Sequence, residues 1–369
     1  MELSCLGSKT SPETANALRH MIYDQLHEHR AKHREKFVGS HPVTLTLENI
    51  SLLLTEDFLV CEKSDGIRAL LFATNYMGKH RAYLYDRKND FYELDIRIPF
   101  SSTVLIDGEV FLESGTINTY AIFDCLIYEG VPQIAKNLYK RLGYAQMFLE
   151  AMQKEYKTSK TVFREQDDED RKRVHVQVEN PPSPICFYVK QMLKGYGFWE
   201  IYSKIPELKH GNDGLIFTPV NEAYCVGKRG EILKWKPASL NTMDFKMARH
   251  SKDSSIYDLI CIGKRGKEMV FGQFLSTGVD ESGLDGMIGE FLYDADGYYW
   301  DFDELVLKKG GWRMYKTRLD KDSPNNIKVV CNILQSLKDD LSIEKLSAFY
   351  TPMRENSKAR EKQGHRTII

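Results

Sequence analysis

Four short stretches between residues 58 and 128 constrain this chain most: FLVCEK, AYLYDR, TVLIDGEVF and YAIFDCLIY. Each is rich in β-branched and aromatic residues, and charged turns separate them, so they read as strands. Upstream, residues 13–36 (ETANALRHMIYDQLHEHRAKHREK) carry Leu18, Met21, Ile22 and Leu26 at helical spacing. His27, His29 and His33 sit toward the end of that predicted helix. With no cysteine in the segment, they read as a charged, solvated helix end rather than a metal site. The turn signal GSHP at 39–42 then opens the strand region.

Beyond it the pattern predicts a helix around 135–155 and an exposed acidic-then-basic loop at 164–173 (REQDDEDRKR). Another helical stretch is predicted at 195–205, followed by the strands GLIFTPV and EILKWKP. Polarity rises at 245–255 (FKMARHSKDSS), which places a hinge there. From 256 to about 321, short strands with glycine turns (YDLICIG, MVFGQFL, GMIGEFLYDADGYYW) suit a small β-barrel. A helix at 325–338, an amphipathic segment to about 349 and a charged end (RENSKAREKQGHR), expected to be disordered, complete the chain.

A length of 369 residues allows about two domains. The 51 basic and 52 acidic side chains nearly cancel. A protein coating long nucleic acid needs a basic excess, so any nucleic-acid work is expected at one end or in one cleft. Balanced charge also gives no reason to expect membrane-surface binding. The seven cysteines are scattered, odd in number and without a CxxC pair. That argues against a disulfide framework or structural zinc and suits free, mostly buried thiols in a reducing compartment. The first residues lack an apolar signal core, and no run approaches the roughly 18 apolar residues of a membrane span. A soluble, intracellular protein is expected.

The strongest local signal is Glu62-Lys63-Ser64-Asp65-Gly66-Ile67-Arg68, directly after FLVC. A lysine at the mouth of a strand and turn, desolvated and among cations, can act as a nucleophile. Gly66 permits close approach of backbone to ligand, and Arg68 is placed to bond a hydroxyl or phosphate. Taken alone, KxDG fits an ordinary surface turn as well. It is followed in order, however, by Asp107-Gly108-Glu109, Phe123-Asp124, DGLIF at 213–217, LKWKP at 233–237 and the RxDK of Arg318 to Lys321.

This ordered series resembles the covalent nucleotidyltransferases: mRNA capping guanylyltransferases, ATP-dependent DNA ligases and RNA ligases. GSHPVTL at 39–45, HGNDGLIFTP at 210–219, LKWKPASLNTMDFK at 233–246 (with Asp244) and GWRMYKTRLDK at 311–321 are similar to the capping enzymes, especially those of fungal type. The likeness runs from about residue 36 to 325. Lys316 stands where many relatives carry arginine, keeping the charge but losing the guanidinium fork.

The resemblance implies an α+β fold: a nucleotidyltransferase domain of antiparallel sheets (1–245), a C-terminal OB-fold barrel (246–325), and a helix with a charged tail (326–369). It implies that Lys63 attacks the α-phosphorus of GTP, expels pyrophosphate and holds GMP until a 5′-diphosphate RNA removes it. Lys234 and Lys236 alternate on one strand, share a face and would grip the α-phosphate; Trp235 points the other way, into the core. Glu109 and Asp213 would hold Mg²⁺ or Mn²⁺, hard ions that take oxygen ligands, with Glu109 alternatively on the ribose. Phe123 would stack on the base, the plain alternative being a core Phe. Arg68 would reach the ribose, and Lys190 would donate to guanine O6, the alternative being a solvated lysine. Arg318, Asp320 and Lys321 would orient the leaving pyrophosphate when the barrel closes, or else form a surface ion-pair cluster.

Two rivals share some of these features. A DNA or RNA ligase uses the same lysyl-nucleotide chemistry, although the last motif differs. A non-catalytic nucleic-acid-binding scaffold would have no need of the nucleophile. The capping reading further implies a nuclear protein working with a separate RNA 5′-triphosphatase, since no HCxxxxxR phosphatase loop is present. It also implies recruitment by the RNA polymerase II C-terminal domain.

Overall fold

The computed structural model describes residues 2–27, 36–158, 173–179, 182–227, 229–237, 240–251, 255–276, 283–301, 306–319 and 321–366. His29, His33, nearly all of the 164–173 loop, and Asp320 lie outside them. The strands run β1 (Ser8–Lys9), β2 (His41–Thr44), β3 (Phe58–Ser64), β4 (Ile67–Tyr76), β5 (Lys79–Asp86), β6 (Phe91–Leu94) and β7 (Val104–Glu113). They continue with β8 (Ile117–Tyr128), β9 (Val131–Pro132), β10 (Arg173–Glu179), β11 (Pro182–Val189), β12 (Leu193–Lys194), β13 (Asn212–Pro219) and β14 (Arg229–Trp235). The last five are β15 (Thr242–Arg249), β16 (Ile256–Ile262), β17 (Glu268–Leu275), β18 (Ile288–Asp301) and β19 (Val306–Thr317). The helices are α1 (Pro12–Gln25), α2 (Leu52–Thr55), α3 (Leu138–Thr158), α4 (Phe198–Ser203), α5 (Ile327–Asp339), α6 (Ile343–Ser347) and α7 (Tyr350–Arg366). No helix among the described residues is long and apolar enough to cross a membrane.

The chain divides into two units, one of Met1–Val43, Ile50–Trp235 and Ser347–Ile369, the other of Thr44–Asn49 and Lys236–Leu346. The first unit holds two sheets, ordered β1-β6-β5-β4-β7-β8-β11-β10 (with β9 on β8) and β12-β3-β13-β14-β2. Neighbours β4 and β5, β4 and β7, and β7 and β8 pair antiparallel, whereas β8 and β11 are parallel. That departs from the expected antiparallel sheets. A parallel neighbour needs a long crossover, and α3 lies within this one.

The larger sheet is covered on both faces. Leu71, Leu84 and Ile106 pack with Phe148, Leu149 and Met152 of α3. Their chain neighbours Leu70, Tyr83 and Leu105 pack with Leu18, Ile22 and Tyr23 of α1. Successive side chains point to opposite faces, so a doubly covered strand reads as a continuous apolar run. Each large side chain so buried stabilises the fold by about 1.5–3 kcal/mol. The helix α1 begins where Ser11 Oγ accepts from Thr14 N at 3.3 Å, with Pro12 in its first turn.

In the second unit the five strands run β17-β16-β15-β18-β19. The sheet curls until Phe271 and Trp312, on its two edge strands, lie 6.1 Å apart ring to ring. Among the described residues no ladder closes it. Helix α5 covers the inner face, with Val330 among Phe245, Phe274 and Phe291. The polar run expected to form a hinge at 245–255 instead continues β15 as far as Arg249, because Phe245 and Met247 alternate into that core.

The charged end also departs from expectation, forming α7 rather than a disordered tail. Met353 is buried, and the Arg360 guanidinium donates to Asp57 Oδ1 (2.7 and 3.0 Å), Leu54 O (2.9 Å) and Glu56 O (3.0 Å). Composition signals charge but not this long-range set of acceptors. Arg360→Ala is expected to lower stability by about 1–3 kcal/mol and to expose α7 first. Denaturant unfolding with hydrogen exchange along α7 checks both.

Candidate active site

Two irregularities in the first unit's sheets aim its functional side chains. On β13 the register jumps from Asn212 opposite Ser64 to Leu215 opposite Glu62, so Asp213 and Gly214 together face Lys63. Two residues against one make a β-bulge, which re-aims side chains. Gly214 takes φ +137°, where a side chain is strained. The bulge brings Asp213 Oδ1 to 2.6 Å from Lys63 Nζ, and both side chains keep about a fifth of their surface exposed (21% and 19%). A small ligand can therefore reach them.

The second bulge is on β8, where Asp124 faces Asp107 and Ile122 faces Gly108. Phe123 is the residue left over between them. It is half-buried and lines a pocket, with the Arg68 guanidinium 5.4 Å from its ring centroid.

Arg68 and Glu109 are cross-strand partners on β4 and β7. Arg68 lies in a buried network, donating Nε to Asp107 Oδ1 (3.0 Å), Nη2 to Asp107 Oδ2 (2.6 Å) and to Tyr224 Oη (3.1 Å), and Nη1 to Ser40 O. A guanidinium has five N–H groups, so the arginine expected to reach a ribose is spent mostly on Asp107, Ser40 and Tyr224. Glu109 Oε1 accepts from Gly66 N at 3.2 Å. A Cβ on Gly66 would sit 2.4 Å from Val110 O, which explains the glycine. Burial pushes the Glu109 carboxyl up, against the pull of Lys190 and Lys63.

Lys190 is buried, not solvated, and its ammonium lies 3.0 Å from Glu62 Oε1. Burial, the largest single influence, would raise the Glu62 carboxyl, but the charges of Lys190 and His210 together with hydrogen bonds from Lys190 and Ser64 hold it below the usual range. Burial likewise opposes the charge on Lys190, and the acidic groups around it, Glu62 foremost with Cys61 and Glu109, together overcome it and raise that ammonium above the usual lysine range.

One pocket collects Cys61, Lys63, Ile216, Thr218 and Ile232 from the smaller sheet with Arg68, Arg87, Glu109, Phe123 and Lys190 on or beside the larger. Its empty space, open mouth included, is about 690 Å³. Lys234 faces Ile216, which faces Cys61, so it shares the pocket face with these two. Strand alternation does not extend to Lys236, because β14 ends at Trp235 and Lys236 falls in the second unit. Trp235 is buried, as expected.

In the second unit, Arg318 Nη1 donates to Asp244 Oδ1 (3.1 Å), and Lys321 Nζ pairs with Asp244 Oδ2. Glu290 Oε2 lies 3.5 Å from Arg318 Nη1 and 3.4 Å from Lys316 Nζ. The sequence assigns no site role to Arg87, Glu62, Asp107 or Tyr224. Arg87 and Glu62 lie within the stretches AYLYDR and FLVCEK and Asp107 within the Asp-Gly-Glu motif, but only the three-dimensional pairing identifies their surroundings.

Comparison with known proteins decides the family. The model for the mRNA capping enzyme catalytic domain matches residues 1–238, and that for the mRNA capping enzyme C-terminal domain matches residues 240–347. The chain belongs to the mRNA capping enzyme family. The mRNA-capping enzyme subunit alpha of Schizosaccharomyces pombe is 30% identical over 343 residues, covering 85% of this chain and 79% of that protein. That of Neurospora crassa is 28% identical over 370 residues, covering 88% and 87%. A solved structure, mycobacterial DNA ligase D complexed with ATP and MES, is 16% identical with a TM-score of 0.39, covering 78% of this chain and 95% of that one. A likeness of that size decides nothing about function.

Membership makes this capping enzyme an mRNA guanylyltransferase, a nucleotidyltransferase that binds GTP and RNA and uses a divalent metal ion. Among the described residues no three His, Cys, Asp or Glu form a metal-holding group. Glu109 and Asp213 nevertheless suit a hard cation. Mg²⁺-type ions are commonly held by one or two carboxylates together with substrate phosphates, and a cation would favour the ionised form of Glu109.

Proposed function

We propose that this capping enzyme carries GMP on Lys63. The observation that supports the reading best is the bulge on β13, which sets the Asp213 carboxylate 2.6 Å from Lys63 Nζ at an accessible point. Asp213 Oδ1 orients the ammonium and takes one proton. The Nζ lone pair then attacks the α-phosphorus of GTP; a P–N bond forms, the bond to the bridging oxygen breaks, pyrophosphate leaves, and a second N–H proton passes to solvent. A 5′-diphosphate RNA attacks the same phosphorus through its terminal oxygen, the P–N bond breaks, and Lys63 regains both protons as GpppN forms. Such chemistry needs positioning and charge neutralisation above all.

Phe123 stacks on guanine, Lys234 and Lys236 hold the α-phosphate, and Arg68 fixes the wall beside the ribose. Mg²⁺ or Mn²⁺ on Glu109 and Asp213 would neutralise phosphate charge. Arg318, Asp320 and Lys321 act on the leaving pyrophosphate. The curled second unit is read as an OB-type domain, a fold that is itself a partly open five-stranded barrel. Nuclear action beside a separate RNA 5′-triphosphatase and the RNA polymerase II C-terminal domain completes the proposal.

The test is adduct formation with α-labelled GTP or ATP. GTP is expected to label at least about 10²-fold faster, since a site built for one base edge leaves polar groups unpaired against another. Equal labelling by both nucleotides would exclude the guanylyl reading and favour a ligase.

A further inference from the structure

We propose that Arg141, paired with Asp124, is a positioning residue that holds Phe123 in place to stack on guanine. The inference rests on the stacking role given to Phe123 above. Asp107 on β7 and Asp124 on β8 are cross-strand partners, and Phe123 is the residue left over beside them. Both are buried, Asp107 with 0% and Asp124 with 3% of its surface exposed. Two such charges are tolerated only when each is paired. Arg68 pairs with Asp107 from β4, and Arg141 pairs with Asp124 from α3. Arg141 Nε donates to Asp124 Oδ1 at 2.8 Å and Nη2 to Asp124 Oδ2 at 3.1 Å. Its Nη1 donates to Lys136 O (2.6 Å) and Glu222 O (3.0 Å). A guanidinium has five N–H groups, and four of these are spent inside the protein.

A bulge interrupts the ladder in which it sits, so regular pairing of β7 with β8 does not fix Phe123. The Asp124 carboxylate does so from the next position. Its Oδ1 also accepts from Cys125 N at 2.8 Å, closing back on the backbone just past the bulge. The grip of Arg141 on that carboxylate therefore sets the course of the strand as it leaves Phe123. Against the ring itself lies the Arg68 guanidinium, 5.4 Å from the Phe123 centroid. Tyr224 ties the two ion pairs together. Its hydroxyl donates to Asp107 Oδ2 and accepts from Arg68 Nη2 at 3.1 Å, and its ring centroid is 5.8 Å from the Arg141 guanidinium. Phe123 and Asp124 line the pocket, whereas Arg141 does not. Arg141 thus reaches the nucleotide only through what it holds.

The test follows single-turnover adduct formation over a range of α-labelled GTP concentrations, with an unfolding curve for each protein. Wild type is compared with Phe123→Leu, with Arg141→Met combined with Asp124→Asn, and with all three substitutions together. The combined pair removes both buried charges, so no lone charge is left to unfold the chain, and asparagine keeps an acceptor for Cys125 N. Losing one base stack is expected to raise half-saturating GTP by about tenfold in Phe123→Leu. A rise of the same size is expected for the Arg141–Asp124 pair. The rate at saturating GTP should hold within about threefold in both, as when uniform binding is lost. Adding the pair to Phe123→Leu should raise half-saturation no further, because groups acting through one contact are not additive. Arg141→Lys keeps the charge but loses the fork, and is expected to fall between wild type and the pair. Multiplying rises in the triple variant would overturn the inference, since Arg141 would then act apart from Phe123. So would an unchanged half-saturation with only a lower unfolding midpoint, which would leave the pair a purely structural part. Phe123→Leu that saturates as wild type does would instead defeat the stacking reading, and the inference with it.

Discussion

Lys63→Ala is expected to lose the covalent protein–GMP adduct, a fall on the order of 10⁴-fold or more of the kind seen when a nucleophile is removed. Besides Lys234, assigned above to the α-phosphate, the pocket offers Arg68, Arg87 and Lys190 as other basic groups. Arginine stays protonated and cannot supply a lone pair, and the Lys190 ammonium is held charged by Glu62. Lys63→Arg is therefore expected to fail as completely as Lys63→Ala while keeping the charge opposite Asp213. That comparison separates a nucleophile from a cation that merely binds phosphate. Labelling with α-labelled GTP and a divalent ion, read on a denaturing gel, checks it alongside an unfolding curve for each variant. A labelled band of wild-type strength in either variant would remove Lys63 from the chemistry.

The second large effect is expected at Arg318 and Lys321. Alanine at either should slow adduct formation from GTP on the order of 10²-fold, the loss typical when a group stabilising transition-state charge is removed. Transfer of GMP from a preformed adduct to diphosphate-ended RNA should change far less, because pyrophosphate has already left. Both cations contact Asp244, which is buried and also accepts from Asn325 Nδ2 at 3.4 Å. Some loss of stability is therefore expected as well, and single-turnover rates below the unfolding range separate it from catalysis. Equal slowing of both steps would assign these residues to holding the second unit together. Slowing of transfer alone would make them an RNA-docking surface.

Much of this site is legible along the chain because motif residues sit on strands whose order fixes their neighbours. Lys63 follows an apolar run that becomes β3, Glu109 lies in a β-branched stretch that becomes β7, and Trp235 alternates out of the pocket face as strand periodicity requires. Pairing is not legible in the same way. The bulges that bring Asp213 to Lys63 and set Phe123 in the pocket depend on register with strands distant in sequence. Nor does a lone lysine in FYVKQM announce that its partners are Glu62 and Ser64. The α7 helix was hidden for the same reason, since its charged residues find acceptors near residue 57. The parallel pairing of β8 with β11 likewise rests on a crossover that local patterns do not encode.

The most direct measurement is to locate the nucleotide. Wild-type protein is incubated with GTP and a divalent ion, digested under conditions that preserve phosphoramidates, and its peptides are mapped by mass spectrometry. A second portion of the adduct is chased with 5′-diphosphate RNA before digestion. GMP on the peptide bearing Lys63, lost on the chase as GpppN-ended RNA appears, is the predicted result. GMP on another residue, or an adduct that diphosphate-ended RNA leaves untouched, would contradict the account.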